Sequence, residues 1–335
     1  MLTILGGDAP RHAAWRAACA RRGWEAPRVM SLDEVCGPLE GWVRLEPPPR
    51  DPPREQGALS RSTALGDPNA LHDRLCARFA AVAAQVGGRL THDPAEIALA
   101  FDKPECKRAL AEIGVPTAPD LGPLGSADAL LDGPPGRVFV KLNRGACAVG
   151  LVALARARGR TRAWTTVESK GAALFNTRRV RRLEDGPTLR ALLDHLAGLG
   201  AHVERWVPKA SVAGRAADLR VVTVAGRVSH TVARLSDTPF TNLHLGGARA
   251  PASTLRAQVT EEVWARMEAD CEKVARRFGG CLSLGIDVAV TSDRRHHVVL
   301  EVNALGDLVH GATDAAGRTP QDAQLDAIDA GKIAC

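Results

Sequence analysis

Tyrosine is absent from the 335 residues, and phenylalanine and tryptophan contribute only six residues each. A protein that stacks single-stranded nucleic acid on aromatic rings needs more of them, which argues against that function class. No uncharged apolar run reaches the roughly 18 residues of a membrane-spanning helix, and Met1–Trp24 lacks the basic-then-apolar order of a secretory signal, so a cytoplasmic protein is expected. The eight cysteines form no CxxC pair and no zinc-finger spacing with histidine; they are expected to be reduced and mostly buried as small hydrophobes. Lysine is scarce as well, with seven among the 44 basic residues. The net charge of +6 therefore reflects an arginine-rich composition before any acidic partner, and each lysine that is present carries more information than usual.

What is present is the balance of a globular chain, 45% hydrophobic and 24% charged, long enough for two or three packed units. Leu2–Leu5, the turn Gly6-Gly7-Asp8-Ala9-Pro10 and the periodic stretch Arg11–Arg22 predict a strand, a turn and a helix. Residues 47–56, PPPRDPPREQ, predict a surface loop, and Asp67-Pro68 opens a helix over Asn69–Val86. A second unit begins with a helix at Phe101–Ile113 that stops at Gly114. Apolar runs at Val138–Lys141 and Val149–Ala153 then flank a small-residue turn, and Thr165–Arg190 reads as loop and basic segment with a helix near Thr188–Leu199. Strands are predicted at His202–Trp206, Leu219–Val224, Val228–Arg234, Leu284–Val290 and Val298–Val302, and one long helix from Ser253 to Arg277. The irregular alternation favours α+β with a mixed or antiparallel sheet.

Near the C-terminus, Glu301 and Asn303 are two apart in a strand and so share one face. The preceding strand carries Asp287, and a hairpin closing symmetrically about Arg294 sets residue 287 opposite residue 301. Two directly opposed carboxylates, with Cβ atoms about 5 Å apart, repel unless a positive charge lies between them. A divalent cation such as Mg²⁺ suits two carboxylate oxygens and an amide oxygen. An exposed acidic pair bridged by Arg294 or Arg295 is the alternative.

Among the lysines, Lys141 ends a β-rich run before the turn Leu142–Gly150, whose small residues, Gly145 among them, allow backbone N–H groups to approach phosphate oxygens. Lys103 follows Asp102 at the mouth of a helix. Glu204, in Val203-Glu204-Arg205-Trp206-Val207, is a lone carboxylate able to accept from an amine such as that of adenine. Each of these has an ordinary structural alternative: a hairpin, a solvated first turn, an exposed strand face.

Taken in order, Asp102-Lys103, Lys141 with its loop, Glu204-x-Trp206-Val207, Gly285-Ile286-Asp287 and Glu301-Val302-Asn303 resemble the ATP-grasp superfamily over about residues 101–310. Asp218-Leu219-Arg220, Arg234 and Asn242-Leu243-His244-Leu245-Gly246-Gly247 are similar to its glutathione synthetase and ribosomal-protein glutamate ligase branch. The resemblance implies an α+β ATP-grasp fold of two α/β subdomains enclosing ATP. Residues 1–100 would be a small N-terminal α/β domain, 101–200 the subdomain with the phosphate loop, and 201–335 the subdomain with the metal site. It further implies that Lys103 and Lys141, with the loop at Gly145, hold phosphates, and that Glu204 with the Trp206–Val207 backbone reads adenine. Asp287, Glu301 and Asn303 would bind Mg²⁺, Arg220 and Arg234 would face the transferred phosphoryl group or acyl substrate, and Asn242, His244, Gly246 and Gly247 would close over the substrate. The sequence departs from the branch at Leu142-Asn143 and Cys147 in the phosphate loop, and at Ala304–Leu308, where a small-residue–Pro-Gly turn is usual.

The implied activity is an ADP-forming ligase that activates a carboxylate as an acyl phosphate and couples it to an amine. The alternatives are a small-molecule kinase on the same fold and a nucleotide-binding partner protein in a peptide-modification system. Expected partners are small-molecule or peptide carboxylates and amines, with neither membrane nor nucleic acid, and with homodimers common among enzymes of this fold. Arg178–Arg182, four arginines in five residues, reads first as a solvated loop and second as a receptor for an acidic peptide or phosphorylated substrate.

Overall fold

The computed structural model describes residues 1–47, 62–86, 89–145, 148–170, 173–184, 186–306 and 308–331. Three sheets follow one another along the chain. The first is parallel, in the order β2-β1-β3, from β1 (Leu2–Leu5), β2 (Arg28–Met30) and β3 (Trp42–Leu45), with α1 (Ala9–Arg21) crossing over after β1. Helix α1 starts two residues earlier than expected: Asp8 caps it by accepting from the Arg11 N–H, and Pro10, which the sequence reads as part of the turn, stands in its first turn. Most of the proline-rich stretch at 47–56 lies outside the described residues.

The second sheet is antiparallel, in the order β4-β9-β8-β7-β6-β10-β5. Its strands are β4 (Ser62–Ala64), β5 (Asp120–Pro123), β6 (Gly136–Leu142), β7 (Val152–Ala157), β8 (Arg160–Lys170), β9 (Ala173–Glu184) and β10 (Ala201–Arg205). It therefore draws one strand from before residue 100 and one from after residue 200. Helices α2 (Pro68–Ala83), α3 (Pro94–Phe101) and α4 (Lys103–Glu112) precede most of it, and α5 (Ala127–Leu131) and α6 (Pro187–Gly198) cover one of its faces. Four leucines of α6, Leu189, Leu192, Leu193 and Leu196, pack there against Val140, Val152 and Leu154.

The segment expected to be loop between Thr165 and Arg190 is instead a long hairpin, β8 with β9. The hairpin packs Ala163, Val167, Leu174 and Leu183 into one core and Trp164 and Val180 against another, while Arg178, Arg179 and Arg182 stay exposed. Strand β7 starts at Val152, later than expected, because Ala148 (φ 57°) and Gly150 (φ 65°) still belong to the turn.

The third sheet is antiparallel, in the order β14-β13-β12-β15-β16, from β12 (Arg215–Val224), β13 (Arg227–Ser236), β14 (Ala248–Pro251), β15 (Ser283–Val290) and β16 (His297–Asn303), with β11 (Ser211–Val212) paired to β12. The single helix expected over 253–277 is two, α7 (Ser253–Arg256) and α8 (Glu261–Arg277). Thr260 is extended and accepts from the Val263 N–H, and Glu261 and Glu262 follow it in the first turn, so this threonine starts a helix instead of continuing one. Helix α8 lays Trp264, Met267, Cys271 and Val274 on the sheet, with Phe278 just past its end, in the largest apolar core. Helix α9 (Pro320–Asp329) closes the described chain. Four of the six described cysteines are buried, as expected of small hydrophobes.

Candidate active site

The second and third sheets face each other across a solvent-open cleft of about 780 Å³. On the second sheet, Lys141 of β6 pairs in register with His202 of β10, and Glu204 lies two residues further along the same face. Glu204 is 1% exposed, and its two carboxylate oxygens accept from different lysines, Oε1 from Lys141 and Oε2 from Lys107 of α4. Burial pushes the Glu204 carboxyl up, but the two ammonium groups outweigh it and hold the pKa at about 2. Burial pushes Lys107 down against the pull of Glu204, whereas at Lys141 burial is outweighed by that pull and the ammonium is raised. Lys103, the first residue of α4, donates to the Gly145 carbonyl and stands 3.3 Å from Glu301, while its backbone N–H bonds the Asn143 carbonyl at 3.0 Å. Lys103 thus ties the turn after β6 to β16.

On the third sheet, cross-strand register builds a chain of alternating charge. Asp218 pairs with Arg234, Arg220 with Asp287, and Asp287 with Glu301. Asp287 receives Arg220 at 2.6 Å on Oδ1 and Arg234 at 3.0 Å on Oδ2. Asp218 receives Arg234 at 2.8 Å on one oxygen, and Lys209 at 2.9 Å with the Thr241 hydroxyl on the other. Burial alone would raise the Asp218 carboxyl, but Arg234 and Lys209 hold it well below its ordinary range. Glu301 is lowered in the same sense, with burial overridden by Lys103 and Lys141.

The Asp287–Glu301 opposition expected from symmetry about Arg294 is present, but through a different closure. At its turn end the hairpin pairs Val290 with His297 and Val288 with Val299, and Leu300 then bulges out so that Glu301 meets Asp287. Without that extra residue Leu300 would face Asp287 and Glu301 would turn to the other side of the sheet. The alternative in which Arg294 or Arg295 bridges the acidic pair does not occur: Arg294 bonds Gln258 at 3.0 Å, and the neutralising charges are Arg220, Arg234 and Lys103.

Of the residues singled out in the sequence, Lys103, Lys141, Gly145, Glu204, Val207, Arg234, Asn242, Asp287 and Glu301 line the cleft. Arg220 reaches it through Asp287, and Asn303 donates its side-chain nitrogen to the Gly285 carbonyl at 3.3 Å. Trp206 packs on Phe139 with ring centroids 5.2 Å apart, and its backbone N–H is committed to the Arg137 carbonyl at 3.0 Å. Trp206 therefore offers no free backbone donor to a base, and Val207 is the part of that pair in the cleft. His244, Gly246 and Gly247 lie on and after a short 3-10 turn, Leu243–Leu245, and are not among the lining residues. A Cβ on Gly247 would come within 2.8 Å of the Thr241 carbonyl, so its smallness shapes the backbone that presents Thr241 and Asn242. Arg178–Arg182 lies on β9, where Arg181 pairs with Glu168 at 2.7 Å.

Lys107 and Lys209 stand in the site though motif reading passes them over, and Asp218, which reads only as part of the Asp218-Leu219-Arg220 motif, is the carboxylate that Lys209 and Arg234 share. Four of the seven lysines, Lys103, Lys107, Lys141 and Lys209, gather here, so the scarcity of lysine was itself the available signal. Six cations (these four with Arg220 and Arg234) face four carboxylates, an excess suited to a polyanion. Among the described residues no group of three or more His, Cys, Asp and Glu side chains is placed to hold a metal ion. A metal would rest on Asp287, Glu301 and the carbonyl oxygen of Asn303, which fit magnesium as hard oxygen donors few enough to leave positions for phosphate and water.

No protein-family profile and no curated protein sequence matches the chain. Solved structures do. A D-cycloserine synthetase, DcsG, superposes with a TM-score of 0.62 at 13% identity, covering 99% of both chains. The chain has the ATP-grasp fold. The ATP-grasp ligase PsnB, in a complex with a precursor variant, Mg and ADP, matches at 0.57 and 15% identity over 99% of this chain and 98% of its own. The macrocyclase MdnC from Microcystis aeruginosa MRC, bound to its precursor peptide MdnA, matches at 0.56 and 13% identity over 99% and 100%. At these identities the likeness establishes the ATP-grasp architecture, and the expectation drawn from Lys103, Lys141, Gly285–Asp287 and Glu301–Asn303 is met at that level.

Proposed function

We propose that the protein is an ATP- and Mg²⁺-dependent carboxylate–amine ligase that forms ADP. The observation that carries this reading is the convergence of Lys103, Lys141, Arg220 and Arg234 with Asp287 and Glu301 in one cleft of an ATP-grasp fold. Lys103 and Lys141 would hold phosphates and Val207 and Glu204 would face the base. Asp287, Glu301 and Asn303 would hold magnesium, which when bound offsets phosphate charge. Arg220 and Arg234, already fixed by Asp287 and Asp218, would stabilise the equatorial oxygens of the transferred phosphoryl group without reorganising, which is where such a site lowers the barrier. The substrate carboxylate would attack the γ-phosphorus, ADP would leave, and the amine would then displace phosphate from the acyl phosphate.

In this reading residues 1–100 supply one wall of the acceptor site, 101–200 the phosphate loop and 201–335 the metal face. Substrates from small carboxylates to peptides are compatible with it, and PsnB and MdnC, which are solved with precursor peptides, make a peptide the first to try. No helix among the described residues is long and apolar enough to cross a membrane.

The test is to incubate the protein with MgATP and panels of carboxylates and amines, following ³¹P spectra and hydroxamate formation with hydroxylamine. The ligase reading expects ADP and phosphate dependent on both substrates, and a trappable acyl phosphate. AMP as the product contradicts it, and a stable phosphorylated product would make the protein a kinase.

A further inference from the structure

Glu204 is a buried carboxylate with two lysines where one would neutralise it, and the two reach it from different sides. Lys141 lines the main cleft together with Glu204. Lys107 is absent from that lining and instead lines a small crevice behind it, walled by Ala100, Cys106, Leu110, Thr117, Val299 and Val302, onto which Glu204 also opens. The rear lysine is fixed: Lys107 donates to the Ala118 carbonyl at 3.1 Å as well as to Glu204 Oε2. The front lysine is the one the nucleotide reading assigns to phosphate.

We propose that Lys107 is the resident counter-ion of Glu204, a positioning residue whose presence allows Lys141 to leave that carboxylate for the nucleotide phosphates. The inference rests on the nucleotide-binding reading above. Its physical basis is the cost of a buried, unpaired carboxylate, which far exceeds that of a carboxylate with one partner fewer. With Lys107 in place, Lys141 can exchange Glu204 for phosphate and leave behind a neutral pair. Without Lys107, the exchange would strand a charge that is 1% exposed. The nearest other group does not substitute for it. His202 Nε2 lies 3.9 Å from Glu204 Oε2, and burial holds the imidazole neutral with a pKa of about 4. Lys103 offers no relief, being engaged with Glu301 and the Gly145 carbonyl.

The test compares MgADP and MgATP affinity, by calorimetry on the full chain, for the wild type, Lys107→Met, Lys107→Arg and Lys107→Met/Glu204→Gln, with thermal midpoints measured alongside. The methionine variant should bind nucleotide at least about tenfold more weakly. Arginine, which keeps the charge, should recover most of the loss. The double variant should also recover it, because the neutral amide introduced by Glu204→Gln needs no counter-ion, keeps an acceptor oxygen for the base and releases Lys141. A purely structural Lys107 predicts a lowered midpoint with nucleotide affinity unchanged in Lys107→Met, and that result overturns the proposal. So does a double variant that binds no more tightly than Lys107→Met, since the loss would not then pass through Glu204. Failure of the wild type to bind either nucleotide is a different result: it overturns the nucleotide reading itself, and this inference with it.

Discussion

Gly285 shows how much one missing side chain can decide. A Cβ there would lie 3.0 Å from the Arg220 guanidinium carbon and 3.1 Å from its Nε, in the space the guanidinium crosses to reach Asp287 from the neighbouring strand. The glycine of the Gly285-Ile286-Asp287 motif is therefore there to let an arginine from β12 lie over β15. Gly285→Ala is expected to displace Arg220, cutting ATP turnover at least about tenfold while costing about 1–3 kcal/mol of stability through overpacking. Arg220→Ala added to Gly285→Ala should lower turnover little further, because both changes remove one contact; additive losses in the double-mutant cycle would contradict this. Asp218 calls for a stability measurement instead. It is 1% exposed and in contact with both Lys209 and Arg234, so Asp218→Ala leaves a lysine buried without the carboxylate it touches. Urea unfolding should show a loss of about 3–5 kcal/mol.

At the scale of elements, what the sequence made legible was what repeats at a period or sits at a cap. Asp67 and Asp102 cap the helices that they read as opening, whereas Asp8, which reads as turn, proves to cap α1; the β15–β16 hairpin put Asp287 against Glu301. The Leu300 bulge that accomplishes this was not legible, because a symmetric hairpin and a shifted one with an extra residue give the same opposition at that point. Hairpin β8–β9 was missed because the adjacent arginine pairs at 178–179 and 181–182 read as a charge run, while the apolar residues that pack it, Ala163, Val167, Leu174 and Leu183, are spread thinly over two strands. Lys107 and Lys209 lie beside recognisable motifs without belonging to them, and only tertiary contact with Glu204 and Asp218 reveals what they do. The tract on β9 is now open to a clean test. Arg178 and Arg179 are exposed and have no ion-pair partner among the described residues, and Arg182 lies 3.8 Å from an exposed Glu184. Replacing these three arginines with serine should change stability by no more than about 0.5 kcal/mol. Any loss of affinity for an acidic substrate in that variant, and any flattening of its salt dependence, then reports binding directly.

Across the whole molecule, the first sheet is tied to the third by buried polar groups as well as by apolar packing. Arg44 of β3, with no exposed surface, donates to Glu46 at 2.6 Å and to Gln324 of α9 at 2.6 Å, and Trp15 of α1 donates to the same Glu46 at 3.3 Å. His92 reaches the Ser283 carbonyl at 2.9 Å from within the same region. Such a network carries a pH signature. Burial lowers His92, His202 and His297, with Arg44 adding to the effect at His92 and the nearby lysines at His202, while Asp270 opposes it at His297. All three are folded neutral, so below pH 6.5 the unfolded chain binds protons that the folded chain refuses, and stability falls as pH falls. For His202 the window runs from 6.5 down to about 4, a contribution of about 3 kcal/mol that is present above 6.5 and gone below 4. Glu204 acts lower: its carboxyl sits at about 2 against an ordinary 4.5, so its contribution is intact above 4.5 and is lost as pH falls toward 2. Urea midpoints measured from pH 8 to pH 4 should therefore hold level to about 6.5 and then decline, well before carboxylates begin to titrate. His202→Gln should flatten part of that decline and leave the limb below 4.5 in place. A wild-type midpoint unchanged between pH 7 and pH 5 would mean that these histidines are not buried as neutral groups.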